Sequence, residues 1–173
     1  MRKCFIVAAI TLMLGTTAAL AQNPQEAHIV KEVGHELRML PYYTIFDNLT
    51  YRVEGNTVIL TGQVTNPVLK SDAGNVVKKI EGVESVENNI EVLPLSPMDW
   101  QIRRAVAHAI YGQPGFENYG FQAQPSIHVI VKNGHVTLVG VVNNEGDKTR
   151  AGIVANSVPN VFSVDNELQV EKG

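Results

Sequence analysis

Residues 49–93 fall on residues 127–171 without a gap at a shift of 78, and 15 of the 45 pairs are identical. The shared pairs include Val53/Val131, Val58/Val136, Leu60/Leu138, Gly62/Gly140, Val64/Val142, Asn66/Asn144, Ala73/Ala151, Val83/Val161, Val86/Val164 and Asn88/Asn166. Upstream, a shift of 73 pairs Ile29/Ile102, Val33/Val106, His35/His108, Leu37/Ile110 and Pro41/Pro114, so the second copy carries five more residues in the loop after its helix. A repeat of this length constrains the chain to two tandem copies of one small module, each with the same order of elements.

That order is helix, strand, strand, helix, strand. Asn23-Pro24-Gln25-Glu26 carries the signature of a helix start, with a cap, a proline at the first helical position and an acid three residues on. Ile29, Val33 and Leu37 then form an apolar stripe at helical spacing that ends before Pro41. Ser96-Pro97-Met98-Asp99 opens the second copy in the same way, with Ile102, Val106, Ala109 and Ile110 as its stripe.

A hairpin follows in each copy. Leu49, Tyr51 and Val53 alternate with polar residues, Gly55-Asn56 turns, and Val58, Leu60, Gly62 and Val64 alternate back. The second copy repeats this with Ile127, Val129 and Val131, then Asn133-Gly134, then Val136, Leu138, Gly140 and Val142. Asn-Gly between alternating strands favours a turn in which both central residues have positive φ. A second helix (Ala73, Val76, Val77 and Ile80; Ala151, Val154, Ala155 and Val158) and a last strand close each module.

The expected fold class is therefore α+β, with two helices on one face of a three-stranded mixed sheet in each module. The first module spans residues 24–93, a short linker spans 94–97, and the second module spans 98–172. Residues 1–21 read as a secretory signal peptide: Arg2 and Lys3 precede a short apolar run, and Ala19-Leu20-Ala21 offers the small-x-small cleavage site. Cleavage there removes the single cysteine, Cys4, and with it any disulfide, thiolate nucleophile or cysteine metal site. It also moves the formal net charge from −3 to −5, which argues against a nucleic-acid partner. No transmembrane span is expected in the mature chain, and the location it points to is periplasmic or secreted.

The stretch Val53-Glu54-Gly55-Asn56-Thr57-Val58-Ile59-Leu60-Thr61-Gly62-Gln63-Val64 resembles the hairpin of a BON domain. Ile80-Glu81-Gly82-Val83-Glu84-Ser85-Val86-Glu87-Asn88-Asn89-Ile90 resembles that family's helix-to-strand closure, and residues 131–142 and 161–168 repeat both features. The resemblance covers nearly all of residues 24–172. It implies a non-enzymatic envelope module of the kind found in exported osmotic-stress proteins, some of whose two-module members associate with anionic phospholipid. Members anchored as lipoproteins use an acylated cysteine, and Cys4 is not at the cleavage point.

The residues themselves indicate no reaction and no cofactor. The five histidines, His28, His35, His108, His128 and His135, show no metal-ligand spacing, and His35 and His108 fall on the solvent side of their helices by helical geometry. No serine lies in a nucleophile-elbow sequence.

The differences between the copies carry more. On the helical wheel of the second copy's first helix, Trp100, Arg103, Arg104 and Tyr111 lie together opposite the apolar stripe; the first copy has no aromatic there. Such a face suits a lipid headgroup boundary. Trp100 also stands at staple spacing from Leu95, which would pin it to the linker instead. The longer loop, residues 112–121, adds Phe116, Tyr119 and Phe121, suited either to insertion or to capping the core, and its counterpart Tyr42-Tyr43-Thr44-Ile45-Phe46 is aromatic as well.

The sheet faces turned away from the helices differ too. The first copy shows Arg52, Ile59, Thr61 and Gln63; the second shows His128, Ile130, Thr137, Val139 and Val141, an apolar face that needs a cover, the first module being foremost. Two functions follow as expectations. One is a phospholipid contact through Trp100, Arg103, Arg104, Tyr111, Phe116 and Tyr119. The other is binding to an envelope protein or to a second copy of the chain through Ile130, Val139 and Val141.

Overall fold

The computed structural model describes residues 24–120 and 125–171. The segment expected to be a signal peptide, the expected Asn23 cap and Phe121 lie outside them. The first module contains α1 (Pro24–Arg38), β1 (Asn48–Glu54), β2 (Thr57–Val64), α2 (Pro67–Val77), β3 (Ser85–Asn88) and β4 (Glu91–Val92). The second contains α3 (Pro97–Tyr111), the short α4 (Glu117–Gly120), β5 (Ile127–Lys132), β6 (His135–Val142), α5 (Glu145–Asn156), β7 (Ser163–Asn166) and β8 (Gln169–Val170). In both sheets the hairpin is antiparallel and the returning strand runs parallel to its second arm, so the sheets are mixed. Each pair of helices packs on one face of its sheet. Ile29, Val33, Val58, Leu60, Val64, Leu69 and Ala73 fill the first core, and Ile102, Val106, Val129, Val136, Leu138 and Ala151 fill the second.

The last strand of each module is broken rather than continuous. Between β3 and β4 the chain turns Ile90 into the core, and between β7 and β8 it does the same with Leu168. An asparagine holds each break: Asn88 Nδ2 donates to Lys70 O at 2.8 Å, and Asn166 Nδ2 donates to Lys148 O at 2.7 Å. A Cβ on Gly74 or Gly152 would meet that same amide nitrogen at 2.8 Å. The paired identities Asn88/Asn166 and Gly74/Gly152 are thus one device, a polar pin between helix and strand that needs a glycine opposite it. Gly62 and Gly140 have a different cause: each has positive φ, and a Cβ there would collide with the backbone carbonyl of the neighbouring strand.

The two modules meet along β5. Its outward-facing residues are His128, Ile130 and Lys132, and both ends of this row reach the first module. His128 Nδ1 donates to Asp47 O at 2.7 Å, and Lys132 pairs with Glu91. The free edge of β5 is closed by Val129 N–H, which donates to Ile45 O at 2.7 Å. Ile130, between the two polar contacts, is only 5 % exposed, and Ile59 on the outward face of the first sheet is buried to the same degree. Ile130 is therefore buried, between two residues that contact the first module, and is withdrawn from the expected interaction face. Val139 stays half-buried, and Val141 stays exposed.

The segment that makes these contacts, residues 42–47, is a strap between the modules. Tyr43 packs into the first core, while Ile45 and Phe46 pack against the second. Asp47, fully buried, holds the strap in shape. One carboxylate oxygen accepts from Thr44 N and Oγ1, and the other accepts from Thr65 N and Oγ1.

Candidate functional site

Helix α3 begins as its sequence dictates: Ser96 Oγ accepts from Asp99 N at 3.1 Å, and Pro97 occupies the first turn. Beyond that, the acid of the capping sequence has another use. Asp99 is 1 % exposed, and its two oxygens accept from Asn133 N and Gly134 N, both at 2.9 Å. Asn133 and Gly134 have positive φ, so the hairpin turn directs two adjacent amides at the carboxylate. One turn along α3, Arg103 Nη2 donates to Val131 O at 2.6 Å. Burial pushes the Arg103 guanidinium below its ordinary pKa, against the opposing pull of Asp99 and Asp47.

Arg103 is therefore not a surface residue. It is 3 % exposed and forms, with Asp99, a clamp that fixes the β5–β6 hairpin to α3. Tyr111 also turns inward: its hydroxyl donates to Ile127 O, and burial pushes its pKa up to about 12. The loop aromatics go the same way. Phe116 is fully buried beneath the Arg150 guanidinium, which sits 5.3 Å above its ring. Tyr119 is buried, donates to Asp147 Oδ2 at 2.6 Å and accepts from Asn143 N at 3.0 Å. Burial raises its pKa first, and the bond to Asp147 adds to this. Phe116 and Tyr119 cap the core; neither is available for insertion.

Two of the six residues remain outside. Trp100 is 46 % exposed and Arg104 is exposed. Trp100 does not staple to Leu95, which is 97 % exposed. It packs edge-on against Phe46 of the strap, with ring centroids 5.4 Å apart. The indole separates two open grooves. One, of about 640 Å³, is lined by Phe46, Trp100, Gln101, Arg104, Ala105 and His108. The other, of about 560 Å³, lies at the module junction among Asn66, Pro67, Pro94, Leu95, Pro97 and Trp100.

Leu95, Met98 and Trp100 are exposed within six residues of one another, and Val68 is exposed beside Pro67 of the second groove. Leu95 and Trp100, which both line that groove, form an apolar wedge at the junction. Asp99 is the sole acid of α3 and is buried, so the exposed side of that helix carries Arg104 and His108 and no carboxylate. Trp100 and Arg104 are exposed, on the side of α3 where the wheel had them. It missed Leu95, whose sequence signal was an apolar residue between Pro94 and Ser96 in a linker.

Among the described residues no group of histidine, cysteine, aspartate and glutamate could hold a metal ion. None of their helices is long and apolar enough to cross a membrane. His28, His35 and His108 are exposed, as helical geometry requires.

A search of curated proteins finds no match to the chain. Among solved structures, the C-terminal domain of CdsD, the structural protein of the type III secretion system of Chlamydia trachomatis, shares 17 % identity. The match covers 83 % of this chain and 98 % of that one, with a TM-score of 0.33. A second CdsD structure from the same organism gives 17 % identity over 83 % of this chain and 93 % of the other, with a TM-score of 0.31. The BON domain family model matches residues 25–94 and again residues 99–172, one match for each module. The chain belongs to the BON domain family, as two tandem copies.

Proposed function

We propose that this protein is a non-enzymatic, exported component of the cell envelope, active under osmotic stress, that rests on anionic phospholipid through the junction of its two modules. The observation that carries the reading is the wedge of Leu95 and Trp100 beside a helix face free of carboxylate. Apolar side chains at such a site enter the acyl boundary while a guanidinium stays near phosphate. Arg104 holds the headgroup in this reading, and Arg103, Tyr111, Phe116 and Tyr119 hold the wedge in place from within. The mature net charge of −5 opposes a general attraction to an anionic surface, so the contact is local and weakened by salt.

Co-sedimentation of residues 22–173 with anionic and with neutral vesicles tests this. Binding that needs anionic lipid, falls with salt and is lost in Trp100→Ala and Leu95→Ala is the expected result. Trp100 is the single tryptophan of the chain, so a blue shift of its emission on vesicles reports its insertion directly. Binding unchanged in the Leu95→Ala, Trp100→Ala double variant overturns the reading. A second reading is favoured by exposed Val141 next to half-buried Val139: a protein partner or a second copy on the uncovered part of the second sheet. Light scattering of Val139→Lys against the parent checks it, with a loss of association expected.

A further inference from the structure

Two helix starts open on the groove at the module junction. Asn66 caps α2 and Ser96 caps α3, and both line the groove together with Arg103. The start of a helix carries a partial positive charge. In the second module the equivalent start, that of α5, is neutralised on the spot. Glu145 and Asp147 stand in its first turn, and the side-chain amide of its cap, Asn144, donates to Asp147 Oδ2 at 3.0 Å. The first copy has Pro67 and Leu69 at those two places and no acid in the first turn of α2. Asn66 Oδ1 accepts from Val68 N, and its Nδ2 is left without an acceptor among the described residues.

The second donor comes from α3. Arg103 stands where α1 has Val30, and it lines the groove while only 3 % exposed, so it forms a recessed end. Its Nη2 donates to Val131 O, but its Nε is buried with no hydrogen-bond partner. A buried donor left unmet is uncommon, and an oxygen brought by a ligand would meet it. The Ser96 hydroxyl, whose oxygen accepts from Asp99 N, also has a proton to donate. The nearby carboxylates, Asp47 and Asp99, are buried and do not line the groove. Their oxygens accept from Thr44, Thr65, Asn133 and Gly134. Pro94, Leu95 and Trp100 make the neighbouring wall apolar.

We infer that this groove binds a free single-chain amphiphile, its anionic head among Asn66, Ser96 and Arg103 and its chain along Pro94, Leu95 and Trp100. A guanidinium so little exposed is out of reach of a flat layer of headgroups, whereas one chain can enter end on. The volume of about 560 Å³ lies within the range of small-molecule sites. The site shares Leu95 and Trp100 with the phospholipid contact but does not depend on it, because Arg104, which holds the headgroup there, lines the other groove.

Titration of the full chain without lipid, with decanoate and with decanol below their aggregation limits, tests the site. The readouts are NMR of the Asn66 side-chain amide and the Arg103 Nε–H, together with Trp100 emission. Decanoate is expected to shift all three and to bind at least about tenfold more tightly than decanol, as a charge-assisted hydrogen bond provides. Asn66→Asp keeps the helix cap but sets a carboxylate in the groove, and Pro67→Glu restores the acid found in α5. Each should weaken decanoate by about tenfold and leave decanol unchanged. Arg104→Glu should keep decanoate within about threefold of the parent, its charge being exposed and screened, while vesicle binding falls. Decanol binding as tightly as decanoate overturns the proposal, and so does an Asn66→Asp protein with the parent's affinity. Loss of decanoate binding in Arg104→Glu also overturns it, as do shifts at Asn66 and Arg103 that anionic vesicles cause and decanoate does not.

Discussion

Helices α1 and α3 hold the same place in their modules, yet they are used in opposite ways. In α3, Asp99 and Arg103 are buried and grip the hairpin; at the equivalent places α1 carries Glu26 and Val30, which are half-buried and exposed. The loops after these helices diverge as well. The shorter first loop leaves its own module and straps the second, while the longer second loop folds back and seals its core with Phe116 and Tyr119. The receiving strands differ to match. β5 presents His128, Ile130 and Lys132 outward, whereas β1 presents Thr50, Arg52 and Glu54, which have no apolar centre to bury. Docking is thus directional: the first module clasps the second, and β1 has nothing to receive a further module in the same way. The same fold serves as a brace in one copy and as a mounted surface in the other.

The sharpest way to break this contrast is to remove the α3 clamp. Asp99→Ala leaves two turn amides and a buried guanidinium uncompensated, and a loss of about 3–5 kcal/mol is expected in denaturant unfolding. Glu26→Ala, its counterpart in α1, is expected to change stability by no more than about 0.5 kcal/mol. Equal effects would mean that the clamp is not the difference between the modules.

Phe116→Ala tests the sealing loop. It should cost about 3–5 kcal/mol as a core truncation and leave the vesicle affinity of the folded fraction unchanged. Weaker binding with intact stability would return Phe116 to insertion, the other of the two roles its loop position allowed. Gly74→Ala and Gly152→Ala test what the copies share: each forces a methyl onto its asparagine pin, with an expected loss of about 1–3 kcal/mol in either module. Unequal losses would show that the pins carry different loads.

A smaller effect separates the modules at high pH. Tyr111, raised to about 12, takes its proton more firmly when folded, so its contribution is complete below its ordinary 10.0 and fades as pH climbs from 10.0 towards 12. Tyr111→Phe is expected to flatten that part of the second module's pH–stability curve, read by thermal unfolding at a series of alkaline pH values.

The repeat, the element order and the apolar stripes of both modules were legible in the chain because each rests on local periodicity or on chain chirality. The Asn133-Gly134 turn needs positive φ wherever it sits, and Val58, Leu60 and Val64 must share a face on any strand. The site was half legible. Helical angles placed Trp100 and Arg104 outward, but they also placed Arg103 and Tyr111 there, since a wheel records direction and not what stands in it. Arg103 lies under a hairpin that returns 28 residues later, and Tyr111 reaches a carbonyl 16 residues away.

What the sequence determined by itself is the module: its elements, its inward faces and its duplication. What only the tertiary structure decided is how the two modules use their remaining surfaces. Ile130 is buried on a strand whose flanking residues are tied to the other module, and Leu95 stayed exposed while its staple partner, Trp100, packed on Phe46 instead. Those outcomes depend on contacts between distant segments, whose energies compete with one another and leave no periodic trace along the chain.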